Sequence, residues 1–153
     1  MAVKECLLCL LFVVVISHGE AYHSGGCAPN LVSIYWCIIT KLRVLTAEEN
    51  CALKAMMDAY TGLVNANCIN CDKYFHCVGN YNAVYGCQKS PTNIKTAKII
   101  SNCREGDCDD DDTAADKAAN RYGRHGGDCA SRYLCDFNCN YNPVDRTCDK
   151  SNC

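Results

Sequence analysis

The chain has 153 residues, 16 of them cysteine, and carries 15 lysines and arginines against 17 acidic side chains for a formal net charge of −2. Cysteine at about a tenth of the residues marks a cross-linked protein of an oxidising compartment. A charge so near balance excludes partners selected by bulk electrostatics, so neither nucleic acid nor a membrane surface is expected as a partner.

In chain order, Lys4 opens a short basic start, residues 7–16 form an apolar run of export-signal length, and Gly19-Glu20-Ala21 offers small residues for cleavage. Residues 1–21 therefore read as a signal peptide, and the mature protein as secreted and extracellular. Removing Cys6 and Cys9 with it leaves 14 cysteines, an even number that permits complete pairing. These candidate disulfide residues are Cys27, Cys37, Cys51, Cys68, Cys71, Cys77, Cys87, Cys103, Cys108, Cys129, Cys135, Cys139, Cys148 and Cys153.

Residues 28–43 are apolar without a clean period, and a helix from Pro29 is favoured over a strand. Thr46-Ala-Glu-Glu49 is a capping box, followed by Cys51, Ala52, Ala55, Met56, Ala59, Tyr60 and Leu63 on one face of an amphipathic helix. Met56 and Met57 read as core filling. Cys68-Ile-Asn-Cys71 has thiol-redox spacing, but in a secreted, cysteine-dense chain structural pairing is the favoured reading. Residues 90–101 read as a connector holding one helical turn or a short strand. The acidic run of Glu105, Asp107 and Asp109 to Asp112 lacks the EF-hand pattern and reads as a solvated linker whose last carboxylates favour the start of a helix over 113–122. That helix carries Ala114, Ala118 and Tyr122 on one face and stops at Gly123.

Three echoes recur in the same order. Ala52 to Gly62 echoes Ala115 to Gly123, Cys71-x5-Cys77 echoes Cys129-x5-Cys135, and Tyr81-Asn-Ala-Val84 echoes Tyr141-Asn-Pro-Val144. The expected fold class is therefore a small disulfide-rich α+β protein of two related units, each a short helix plus a cysteine-clamped irregular or β segment. The expected divisions are signal peptide 1–21, an N-terminal helical cysteine-rich unit 22–103 and a C-terminal cysteine-rich unit 104–153.

Residues 108–153, with Cys129-Ala-Ser-Arg-Tyr-Leu-Cys135 and Tyr141-Asn142-Pro143 ahead of Cys148-Asp149, resemble the chitin-binding type-2 (peritrophin-A-like) module, with a degraded copy in 51–108. The resemblance implies a small β-sandwich-like fold with three disulfides and binding of N-acetylglucosamine polymers on exposed aromatics. Tyr133, Phe137, Asn138 and Tyr141 are the candidate ligand-binding residues, since sugar rings stack on aromatic planes flanked by amides. Each ring could equally cover a disulfide in a unit with little aliphatic core. Of histidines the mature chain keeps His23, His76 and His125, and no nucleophile elbow, zinc-protease motif or phosphate loop occurs. The expectation is a secreted, disulfide-rich, non-enzymatic protein without cofactor or metal, whose partner is chitin, another polysaccharide or extracellular matrix. The alternative is a secreted effector, a toxin or water-borne signal, acting on a receptor.

Overall fold

The computed structural model describes residues 29–42 and 46–150, so the expected signal peptide, Cys27 and Cys153 lie outside the described residues. Within them the chain forms helices α1 (Leu31–Lys41), α2 (Ala47–Ala66), α3 (Asp72–Tyr85), α4 (Pro91–Glu105), α5 (Asp111–Arg124) and α6 (Cys129–Tyr133). A single 3-10 turn, Cys135–Phe137, then leads to a hairpin of β1 (Tyr141–Asn142) and β2 (Thr147–Cys148), in the register Tyr141 to Cys148 and Asn142 to Thr147. No helix among these residues is long and apolar enough to cross a membrane.

Local chemistry starts most of these helices. Asn30, Ser90, Asp110 and Asp128 each accept a hydrogen bond from a backbone N–H of the first turn that would otherwise lack a partner. Thr46 and Glu49 close the expected capping box on α2, with Glu49 N donating to Thr46 Oγ1 at 3.2 Å and Thr46 N donating to Glu49 Oε2 at 2.7 Å. Asp111 and Asp112 at the start of α5, and Arg121 and Arg124 at its end, match the helix dipole.

Helix α3 is the centre of the assembly and packs against α2, α4, α5 and α6. Small residues let the backbones approach: a Cβ on Gly123 of α5 would overlap the Cys77 carbonyl oxygen of α3, and one on Gly79 of α3 would press on Ala59 of α2. One apolar cluster gathers Leu63, Tyr74, Phe75, Tyr133 and Tyr141 around buried cysteines, and a second holds Ile38, Leu42, Leu53 and Ile100 between α1, α2 and α4. Each fully buried Leu or Val, such as Leu53 or Val84, contributes roughly 2 kcal/mol.

Disulfides staple this core: Cys37–Cys103 joins α1 to α4, Cys51–Cys87 joins α2 to the end of α3, and Cys77–Cys129 joins α3 to α6. Cys68–Cys148 and Cys71–Cys139 hold the tail against the α2–α3 turn. Cys68 and Cys71 are thus bonded to the tail and not to each other, and Cys108 and Cys135 are disulfide-bonded as well.

The expected α+β class is corrected: among the described residues the protein is mostly helical, and the sheet is one two-residue pairing. Residues 72–85, expected as part of an irregular or β segment, and residues 90–101, expected as a connector, are helices α3 and α4. Their helical pattern is hidden in the sequence because polar residues occupy the inward face. Lys73, His76, Asn80, Asn93, Thr96, Ser101 and Glu105 are all buried. The division expected between residues 103 and 104 falls inside α4, and α5 packs on α3 and α4.

Candidate functional site

The four residues selected from the sequence do not form an open platform. Tyr133 and Tyr141 are buried, the latter with its ring centroid 5.0 Å from Phe75 and 5.7 Å from Tyr74. Phe137 is exposed and meets Tyr133 edge-on at 5.4 Å, while Asn138 is exposed and ends the 3-10 turn in a left-handed conformation. Tyr133 therefore divides its ring between core and Phe137, and Tyr141 belongs to the core cluster.

The chemistry concentrates instead between α3, α4 and α5. The residues there are fixed by a chain of hydrogen bonds whose direction is set by Arg124, which can only donate. Arg124 Nη1 donates to Asn80 Oδ1 at 2.7 Å and to Ser101 Oγ at 3.2 Å. Asn80 Oδ1 is therefore an acceptor, and Asn80 Nδ2 donates to Asn120 Oδ1 at 2.6 Å and to the His76 carbonyl at 2.9 Å. Asn120 Nδ2 in turn donates to Glu105 Oε1 at 2.9 Å.

His76 sits in the middle, 3% exposed. Its Nδ1 lies 3.1 Å from Asn120 Oδ1 and 3.3 Å from Glu105 Oε1, and its Nε2 lies 3.3 Å from Asp116 Oδ2 without forming a hydrogen bond. Burial, followed by the nearby Arg104 charge, drives His76 well below the usual imidazole range, so it is neutral even with carboxylates on two sides. Burial pushes Glu105 up to about 7 against the pull of Arg104, and pushes Asp116 up against the pull of Lys73.

At the outer edge, Lys73 Nζ contacts Asp72 Oδ2 at 2.7 Å, Asp112 Oδ1 at 2.5 Å and Asp116 Oδ1 at 2.8 Å. Burial alone would lower this ammonium, but its hydrogen bonds to Asp112, Asp116 and Asp72 outweigh that and raise it. The arrangement locks three helices together and offers imidazole and carboxylate donors; it presents no activated nucleophile.

Sequence reasoning passed over this cluster. Its signal was available as polar residues at helical steps: Lys73, His76 and Asn80 on α3, Ser101 and Glu105 on α4, and Asp116, Asn120 and Arg124 on α5. On α5 the face marked by Ala114, Ala118 and Tyr122 turns outward or is half-buried, whereas Asp116, Ala119, Asn120 and Gly123 face the core.

Residues 45–141 match the family model described as "Serum amyloid A protein". Among curated proteins, the chain is 44% identical over 78 residues to serum amyloid A-1 protein of Oryctolagus cuniculus, covering 48% of this chain and 62% of that protein. It is 44% identical over 86 residues to serum amyloid A-1 protein of Mesocricetus auratus, covering 53% and 68%, and 40% identical over 79 residues to serum amyloid A protein of Anas platyrhynchos, covering 48% and 60%. The chain thus spans somewhat under two thirds of the length of the rabbit relative. The resemblance to the chitin-binding type-2 module is corrected by these matches, and no such module is found. The structure supplies the physical reason. That module needs its disulfides within itself, but Cys129, Cys139 and Cys148 are bonded to Cys77, Cys71 and Cys68 in the first half of the chain.

Proposed function

Because the chain belongs to the serum amyloid A family, we propose that this secreted, non-enzymatic protein associates with lipid particles through the outer face of α1. The observation that carries this reading is the exposure of Val32 and Trp36, one helical turn apart, at 54% and 58%. Ile34 and Ile38 of the same helix turn inward to the α2–α4 cluster, so α1 is apolar on both sides. Tyr35 and Ile39 extend the outer face and are half-buried. A helix that carries an outer apolar stripe as well as an inner one favours a second apolar phase on its outer side. Tryptophan suits an interface because its ring is apolar and its N–H can still reach water or headgroups. The Cys37–Cys103 bridge fixes α1 to α4, so this face can be offered without unfolding the core.

The protein has a single tryptophan, which makes the test direct. Adding phosphatidylcholine vesicles to the disulfide-intact protein is expected to shift Trp36 emission to the blue and to bring the protein up with the vesicles on flotation. Val32→Glu together with Ile39→Glu is expected to abolish both effects while leaving the helical circular dichroism unchanged. Unshifted emission and no flotation of the wild type would refute the reading.

A further inference from the structure

We propose that His76 and Asp116, with Glu105 as a third donor, form a buried site for a divalent transition metal, Zn²⁺ by its chemistry, that ties α3, α4 and α5 together. The hydrogen-bond chain described above determines which imidazole nitrogen is available. Arg124 makes Asn80 Oδ1 an acceptor, so the Asn80 amide donates to Asn120 Oδ1, and the same oxygen then accepts the Nδ1 proton of His76. This leaves Nε2 as a lone pair, buried and without a hydrogen-bond partner, aimed at Asp116 Oδ2 only 3.3 Å away.

Two acceptors facing each other at that distance repel unless a cation or a proton lies between them. The separation itself is informative. Two ligand atoms on a tetrahedral zinc with bonds of about 2.0–2.1 Å lie about 3.3 Å apart. The surroundings also have the form of a metal site. Ligating histidines donate their other ring N–H to an oxygen acceptor, which fixes the tautomer, and Asn120 Oδ1 does this for His76. The two oxygens of Asp116 divide their work, Oδ1 taking Lys73 at 2.8 Å and Oδ2 facing the imidazole. One donor atom from each of His76, Glu105 and Asp116 lies within 4.8 Å of the other two; Glu105 Oε1 faces Nδ1 at 3.3 Å, so Glu105 adds a third ligand from α4 only by turning an oxygen towards the Nε2 side. Imidazole with carboxylates suits Zn²⁺ better than Ca²⁺, which takes six to eight oxygens.

The neighbouring group of Asp72, Asp112 and Asp116 carries no such site, because the Lys73 ammonium already lies against all three carboxylates.

The test is titration of the disulfide-intact protein, stripped with chelator, with Zn²⁺ in a calorimeter, and with Co²⁺ to read coordination from its visible absorption. One ion per chain, a tetrahedral cobalt spectrum and a rise in thermal midpoint with added zinc are expected. Asp116→Asn keeps the shape of the side chain and is expected to weaken binding by at least about 100-fold, losing the cobalt spectrum. His76→Gln is expected to do the same, and should it fail to fold, the Asp116 variant decides alone. Absence of binding in the wild type would overturn the proposal. So would binding unchanged in a folded Asp116→Asn protein, or binding that disappears only on replacing the exposed His125.

Discussion

Gly123 shows how much a single missing side chain decides. In the sequence it reads as the stop of a short helix, yet α5 continues to Arg124 and the glycine lies buried where α5 crosses α3. A Cβ there would collide with the Cys77 carbonyl oxygen, and main chain cannot rotate aside as a flexible side chain can. Gly123→Ala is therefore expected to cost at least about 3 kcal/mol, through displacement of α5 and loss of the hydrogen bonds it makes to α3. Urea denaturation of the two proteins measures this, and an unchanged midpoint would contradict the close crossing. The same crossing holds Asn120, whose bonds to Asn80, His76 and Glu105 were invisible in the sequence because a buried asparagine is spelled like an exposed one.

At the level of elements, the helices that could be read were those with local signals. The capping box of α2 and the acidic entry to α5 depend on residues three apart, so both are written in the sequence. The start of α5 also yields a pH prediction. Thr113 N donates to Asp110 Oδ1 at 2.7 Å, and this backbone hydrogen bond, followed by the Thr113 hydroxyl, holds the Asp110 carboxyl below its usual range. A carboxyl whose folded pKa lies below its unfolded one stabilises the fold above the unfolded value and loses that contribution as pH falls through the folded value. Asp110→Asn keeps a capping oxygen but does not titrate. The stability of the wild type relative to this variant is expected to decline as pH falls through and below the ordinary carboxylate range, read by denaturant midpoints at successive acid pH values. A constant difference would exclude the capping carboxylate as the cause. Helix α3 gave no comparable signal because it has no side-chain cap, whereas α4 carries one, Ser90 capping Asn93 N ahead of Pro91, that the sequence reading passed over; both helices bury polar residues that blur the apolar stripe.

For the whole molecule, the bridges from Cys37, Cys51, Cys68, Cys71 and Cys77 join residues 36 to 80 positions apart and tie distant parts of the described chain together. Closing loops of that length is worth about 4 kcal/mol per bridge in the chain-entropy model, less where loops overlap. Reduction is expected to lower the thermal midpoint by at least about 10 °C. Because α5 packs on both α3 and α4, hydrogen exchange in the reduced protein is expected to show α2 and α5 opening in one step. Earlier opening of α5 alone would show that the C-terminal part unfolds separately.

The sequence by itself determined secretion, the capped start of α2 and the presence of a helix after the acidic run, all of which rest on composition or on residues a few positions apart. Only the tertiary structure decided that the protein is a helical assembly around α3, that the tail cysteines reach back to the α2–α3 turn, and that Tyr133 and Tyr141 are core residues. These depend on contacts between residues tens of positions apart, where a polar side chain inside a network and one in water carry the same letter, and where the identity of a cysteine says nothing of its partner.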